Sequence, residues 1–181
     1  MLIAILIIVL VLVFWFVSAQ RNLVHFDELC GNAMSQIGVQ LASRWDALTA
    51  LAKMTAQYDA HEHDTLMDVI GKRAAVGSKS KAGDVEAQEQ LAENVLGKIV
   101  AIAESYPELK ASEVYVTTMN SLNTYENTVR NARMVYNDTV TKYNRYARQI
   151  PACFIAKALG FETREYLAAD ETKTDMPSLE G

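Results

Sequence analysis

The chain opens on seventeen consecutive apolar residues, MLIAILIIVLVLVFWFV, and Ser18 and Ala19 carry the run to Gln20. As a helix, nineteen residues rise about 28 Å, close to the roughly 30 Å hydrocarbon core of a bilayer. Residues 1–19 are therefore expected to form a transmembrane anchor in contact with lipid. No proline or glycine breaks the chain between Phe16 and Leu23, so the span is expected to run on into the first helix of the body. Beyond it, Met34, Ile37, Leu41, Leu48, Leu51, Thr55 and Tyr58 follow a heptad-like spacing and predict a helix over about 23–58.

The segment His61-Glu62-His63-Asp64 interrupts that pattern, and Asp64 is the N-cap expected for a second helix over about 65–76, with Leu66, Val69 and Ile70 inward. GSKSKAG, residues 77–83, reads as a linker. Asp84 is expected to cap a third helix whose Leu91, Val95, Ile99, Ile102 and Tyr106 share a face, and Pro107 to end it. The longest pattern comes next. Tyr115, Met119, Leu122, Glu126, Val129, Arg133, Tyr136, Val140, Tyr143, Ala147 and Ile150 alternate by four and three up to Pro151. A stripe of that length has to be covered by other helices. Pro151 suits the start of a short helix with Phe154, Ile155, Ala158 and Leu159 on its apolar face, and Gly160 its end.

No sustained alternation of β-branched residues occurs, so the fold class is all-α. An N-terminal transmembrane helix should lead into an antiparallel up-and-down bundle of three long helices, one shorter one and a short C-terminal helix. The expected organisation is an anchor over 1–19, a bundle over 20–161 and an acidic tail over 162–181, disordered from about Ala168. In such a bundle the end of the fourth helix returns to the membrane-proximal end of the first. Phe154, Ile155, Leu159 and Phe161 then either cap the bundle or dip into the membrane interface. The same topology brings Cys30 and Cys153 to one end.

Composition adds exclusions. Net charge is −5 and the pI is about 5.2, which argues against a strongly basic nucleic-acid binder, and the tail carries six acids and two bases of that total. A secretory signal would have a basic start and a shorter core, whereas no Lys or Arg precedes this run. Val17-Ser18-Ala19 nevertheless suits signal peptidase, which leaves cleavage after Ala19 as the alternative to an anchor. Arg21, the basic residue nearest the run, points to a cytoplasmic bundle. Two cysteines make no disulfide framework and read as reduced core thiols.

Candidate chemistry is sparse. Glu126 and Arg133 occupy seam positions, Arg130 lies one turn from Glu126, and Arg44 sits on the seam of the first helix. A charge in an apolar seam needs a paired, hydrogen-bonded partner, so Arg44, Glu126, Arg130 and Arg133 are a candidate buried polar layer that fixes helix register. A ligand or partner site in the core is the other reading. Tyr136-Asn137 and Tyr143-Asn144 repeat at seven residues and are a candidate recognition strip, against the plainer reading of a seam residue with its flanking neighbour. His61-Glu62-His63 reads as a solvated turn rather than a metal site, and the chain has no Glu-x-x-His or HExxH. With no P-loop, G-x-S-x-G or G-x-G-x-x-G either, no catalytic, cofactor-binding or metal residue is assigned, and the protein is not expected to be an enzyme.

These residues carry a family resemblance. The apolar N-terminal helix, NAMSQIGVQLASRWD (32–46), HE (61–62), YPELKA (106–111), EN (126–127), ARMVYNDTVTKYN (132–144), Pro151 and GF (160–161) together resemble the LemA family. The resemblance extends over nearly the whole chain to Phe161. It implies a single-pass protein of the bacterial inner membrane with a helical-bundle body on the cytoplasmic side. It implies a scaffold or regulatory role without catalysis, and a membrane protein partner, with a membrane metalloprotease as the candidate. An accessory subunit of a membrane enzyme complex and an envelope structural protein are the alternatives. Gln36, Glu126, Asn127, Arg133, Tyr136, Asn137 and Tyr143 match the family's motif and are structural candidates first. The chain departs from the family at Met34, where a tryptophan is typical, and at Thr49-Ala50, where a proline-asparagine pair is typical. Without that proline the first helix should be straighter.

Overall fold

The computed structural model describes residues 1–58 and 60–168. Six helices make up the described residues: α1 (Leu2–Thr55), α2 (Ala60–Gly71), α3 (Ala82–Ser105), α4 (Pro107–Ala111), α5 (Glu113–Arg148) and α6 (Ala152–Leu159). Anchor and first bundle helix are one unbroken helix of 54 residues, about 80 Å long. The helix continues past Thr49-Ala50 without interruption.

Three apolar clusters stack along this rod. The distal one joins Leu48, Leu51 and Ala52 of α1 to Leu66 and Ile70 of α2, Val95, Ile99 and Ile102 of α3, Leu109 of α4 and Leu122 of α5. The middle one joins Cys30, Met34, Ile37 and Leu41 of α1 to Val85 of α3 and Val129, Tyr136, Val140 and Tyr143 of α5, with Leu167 from the chain's far end. The membrane-proximal one joins Ala19 and Leu23 to Ala147 of α5 and Ile155 and Ala156 of α6. Residues 1–14 and 16–18 are exposed, as the side chains of a lipid-facing anchor are.

Several boundaries differ from the sequence pattern. Helix α2 begins at Ala60 and ends at Gly71, so Asp64 lies inside it and is not its cap. Residues His61–His63 are helical rather than a turn, and His63 Nδ1 donates to the Ala52 carbonyl at 3.0 Å. The side chain of His61 lies outside what the structure describes. The chain then leaves the helix to run along α1, bringing the backbone of Val76 against Gly38. Helix α3 starts at Ala82 instead of Asp84, and Asp84 accepts from the Lys81 backbone N–H at 2.8 Å, closing the first turn. Its buried face runs through Val85, Gln88, Ala92, Val95, Ile99 and Ile102, which leaves Leu91 at the margin. Pro107 both ends α3 and opens the unforeseen short helix α4. Ser112 caps α5, its Oγ accepting from Tyr115 N at 3.1 Å. Ile150 falls beyond the end of α5 and is 80% exposed, so it is not a seam residue.

Residues 162–168, the start of the acidic segment, form an extended strap along α5 with Leu167 only 2% exposed, and the disorder expected from about Ala168 falls, beyond Ala168 itself, outside the described residues. Residues 169–181 lie outside the described part of the chain. The strap is needed because α3, with 24 residues, is shorter by about 18 Å than α5, with 36. It starts at the end of α6 and finishes at the first turns of α3, where Ala168 N donates to Glu86 Oε1 at 3.2 Å. Strap and α3 in line therefore cover the seam that α3 alone would leave open.

Gly38 is the position where close approach matters most. A Cβ there would lie 1.9 Å from the carbonyl oxygen of Val76. Gly38→Ala is expected to destabilise the bundle by about 1–3 kcal/mol, the usual cost of overpacking. Gly97→Ala, in α3 with nothing within 4 Å of its added methyl, should stabilise by about 0.5–1 kcal/mol. Thermal unfolding of the two full-length variants in detergent, followed by circular dichroism, checks both signs.

Candidate functional site

The four residues expected in one polar layer are divided between two places. Arg44, 5% exposed, donates through Nη2 to Glu126 Oε1 at 2.8 Å and ties α1 to α5. Arg133 pairs with Glu89 of α3 and donates its other terminal nitrogen to the Ala168 carbonyl, so it joins α5, α3 and the end of the strap. Arg130 is exposed on the outer surface of α5 and belongs to neither pair. Glu89 was missed because its pairing depends on the register between α3 and α5, which no single-helix pattern contains. A third pair, Arg164 with Asp27 at 2.9 Å, links the strap to α1.

The Arg44–Glu126 pair is not fully satisfied. Arg44 Nε and the neighbouring Trp45 Nε1 are buried side-chain donors with no hydrogen-bond partner among the described residues. An unpaired buried donor costs stability, so the pair ties α1 to α5 at some expense.

The Tyr-Asn repeat, a candidate recognition strip, is occupied by the chain itself. Asn144 Oδ1 accepts from Arg164 N and its Nδ2 donates to Arg164 O, both at 2.9 Å. Asn137 does the same to Leu167, both at 3.0 Å. Seven helical residues rise about 10.5 Å, and three extended residues advance about 10 Å. Two asparagines a heptad apart thus meet every third residue of an extended strand. The tyrosines add to the clamp: Tyr143 OH donates to Glu162 O at 2.6 Å and Tyr136 OH to Glu165 O at 3.2 Å.

Electrostatics in this clamp favour neutral tyrosines and thiol. Burial pushes the Tyr143 phenol up to about 12 and raises that of Tyr136. Burial likewise pushes the Cys30 thiol up to about 11, which makes it a poor nucleophile at neutral pH. Cys153 is partly exposed on α6, nearer the membrane. For Arg164, burial opposes the charge, but the hydrogen bond and charge of Asp27 more than offset it and raise the guanidinium above its usual value.

Other features offer little chemistry. No group of three or more His, Cys, Asp or Glu capable of holding a metal occurs among the described residues. A groove of about 660 Å³ lies between α1 and residues 73–76, lined in part by Gly38, Val39, Trp45, Asp46 and Arg73. Its charged groups pair with each other, Arg73 to Asp46 at 3.4 Å, and Trp45 Nε1 is sealed from it. It lacks the convergent polar groups that fix a small ligand.

Two outcomes test these readings. Glu126→Gln should lower stability by about 1–3 kcal/mol, because Arg44 would keep a buried charge without its counter-ion. An unchanged melting temperature would remove the register role. The raised tyrosine and thiol pKa values mean that the folded state favours the protonated forms. Their stabilisation is present below the unfolded values of 9.0 and 10.0 and is lost as pH rises toward about 11 and 12. The melting temperature should therefore fall between pH 9 and 12, and Tyr143→Phe should flatten the upper part of that decline.

The comparisons with known proteins agree with the motifs. The model of the LemA family matches residues 33–180. Among curated proteins, the chain is 25% identical over 174 residues to magnetosome protein MamQ 2 of Paramagnetospirillum magneticum, covering 80% of this chain and 64% of that protein. It is 25% identical over 158 residues to magnetosome protein MamQ of Magnetospirillum gryphiswaldense, covering 73% and 58%. The chain thus spans less than two thirds of the length of these relatives.

Proposed function

We propose that this chain, which belongs to the LemA family, is a scaffold or regulatory protein of the bacterial inner membrane that works by binding and carries out no catalysis. The observation that carries the reading is the single helix α1, which leaves the apolar anchor and becomes the central member of the bundle without a break. Such a rod holds the bundle at a fixed height and orientation above the bilayer, which suits a protein that positions others. The chemistry of the bundle supports binding over reaction. Its buried charges are engaged in ion pairs between helices and strap, its polar strip is filled by its own backbone, and its buried thiol is held protonated. The magnetosome names of the MamQ relatives support reading it as part of a membrane assembly.

The bundle lies on the cytoplasmic side in this reading, as Arg21 suggests, and the partner is another membrane protein, with a membrane metalloprotease as the first candidate. Surfaces open to it include Met134 and Val135 of α5, 56% and 52% exposed. A photo-crosslinking residue at Met134 in the full chain, activated in intact membranes, should give a reproducible adduct with one membrane protein. No reproducible adduct from there or from Val39, on α1, would overturn the scaffold reading, as would turnover by the purified protein. A C-terminal fluorescent-protein fusion should fluoresce, and strong activity of an alkaline-phosphatase fusion at the same end would overturn the cytoplasmic orientation.

A further inference from the structure

The position of α6 relative to the anchor is set by what it touches. Ile155 and Ala156 pack on Ala19 and Leu23, and Trp15 lies against the same cluster. Ala19 ends the apolar run, and Trp15 is four residues inside it, about 6 Å toward the membrane. A helix packed into a cluster with Ala19, which Trp15 also joins, stands at the boundary between hydrocarbon and headgroups once the anchor is in a bilayer.

The side of α6 that faces away from α1 is unlike the outside of a soluble helix. Phe154 is 66% exposed and Ile150, just before it, 80%. Pro151 and Ala158 are exposed as well, and a helical step of 100° per residue puts Ala158 beside Phe154. Charge at this end is equally one-sided. From Thr139 to Phe161 the sequence has no acidic residue, and from Met1 to Phe26 it has none either. Arg21, Arg145, Arg148 and Lys157 are all exposed there, while Asp27 and Glu162 lie a level higher, beside Tyr143, in a chain whose net charge is −5.

We propose that the outer face of α6, with Ile150 and Phe154, is a second membrane contact that lies in the bilayer interface, and that the surrounding basic side chains bind anionic lipid headgroups. Apolar side chains at acyl depth ringed by cations at headgroup depth are the arrangement by which interfacial helices bind. The anchor dictates which partner this surface meets, because the lipid is already beside it. With α6 resting on the bilayer, the bundle is held at two points of its base instead of swinging on one.

The test uses the full chain reconstituted in phosphatidylcholine–phosphatidylglycerol vesicles, with Trp15→Phe removing the anchor's own tryptophan and Phe154→Trp reporting on α6. Trp45 is the internal standard, since it lies roughly 40 Å along α1 from Ala19. The tryptophan at position 154 should emit at shorter wavelength than an exposed tryptophan and lose most of its intensity when the lipids are brominated near the glycerol end of the acyl chains. Trp45 should keep its intensity. Ile150→Trp in the same background should behave as Phe154→Trp does, and both sites are exposed enough for the helical circular dichroism to be retained. Solvent-like, unquenched emission at both positions would overturn the proposal. So would a blue shift without quenching, which would mean that protein covers the face. Equal quenching in vesicles without phosphatidylglycerol would overturn the part assigned to anionic headgroups.

Discussion

The architecture follows from the need to cover the seam between α1 and α5 along its whole length. Both helices are long because their apolar positions recur without a break, and an uncovered stripe of that kind is unstable in water. Helix α3 supplies the third wall only from Ala82 onward. Below that level two other devices complete the core, each placed where it is needed. The strap takes over in line with α3, inserting Leu167 into the middle cluster. Helix α6 closes the end nearest the membrane through Ile155 and Ala156. Three ion pairs sit at the joints of this scheme: Arg44–Glu126 across the main seam, Arg133–Glu89 where strap meets α3, and Asp27–Arg164 between strap and α1.

Long helices were legible in the sequence because their signal is local and repeated. Spacing by three and four residues identified α1 and α5, and the prolines and Gly160 identified the ends of α3, α5 and α6. Where a boundary depends on a tertiary contact, the pattern misplaced it. Val76 is apolar and extends the helical pattern of the second helix, but its backbone is drawn against Gly38 of α1, a contact that only the absence of a side chain at Gly38 permits. Apolar spacing in α3 points to Leu91, although the smaller Ala92 and the polar Gln88 occupy the buried positions. Gln88 is buried because its Oε1 accepts from Ala74 N in the preceding loop, at 2.9 Å.

The polar residues show the same division. Charge on a seam announced that Arg44, Glu126 and Arg133 would need partners, and Arg44 and Glu126 proved to be partners of each other. Arg130 lies one turn from Glu126, yet four residues turn the helix by about 400°, and the extra 40° carries Arg130 outward from a Glu126 that is itself only partly buried. The strap was invisible for a different reason. ETREYLA has the composition of a solvated tail, with a single side chain, Leu167, that is buried. Its order comes from α5, whose side chains hold its backbone, and backbone groups are the same in every sequence.

That last point gives the Tyr-Asn repeat its physical meaning. A carboxamide carries one acceptor and one donor side by side, which matches the N–H and C=O of one residue in an extended strand. Neither a carboxylate nor a hydroxyl can do both in that geometry. Two such groups a heptad apart fix the register of the strand to three residues, and the phenols above them accept no charge because burial holds them protonated as donors. Because the clamp reads backbone, it constrains the strap's sequence only where a side chain leaves the strand for the core or for an ion pair, at Leu167 and Arg164. The residues that fix the strap's position therefore lie on α5, and a family motif found on one helix marks the docking of a segment some twenty to thirty residues away.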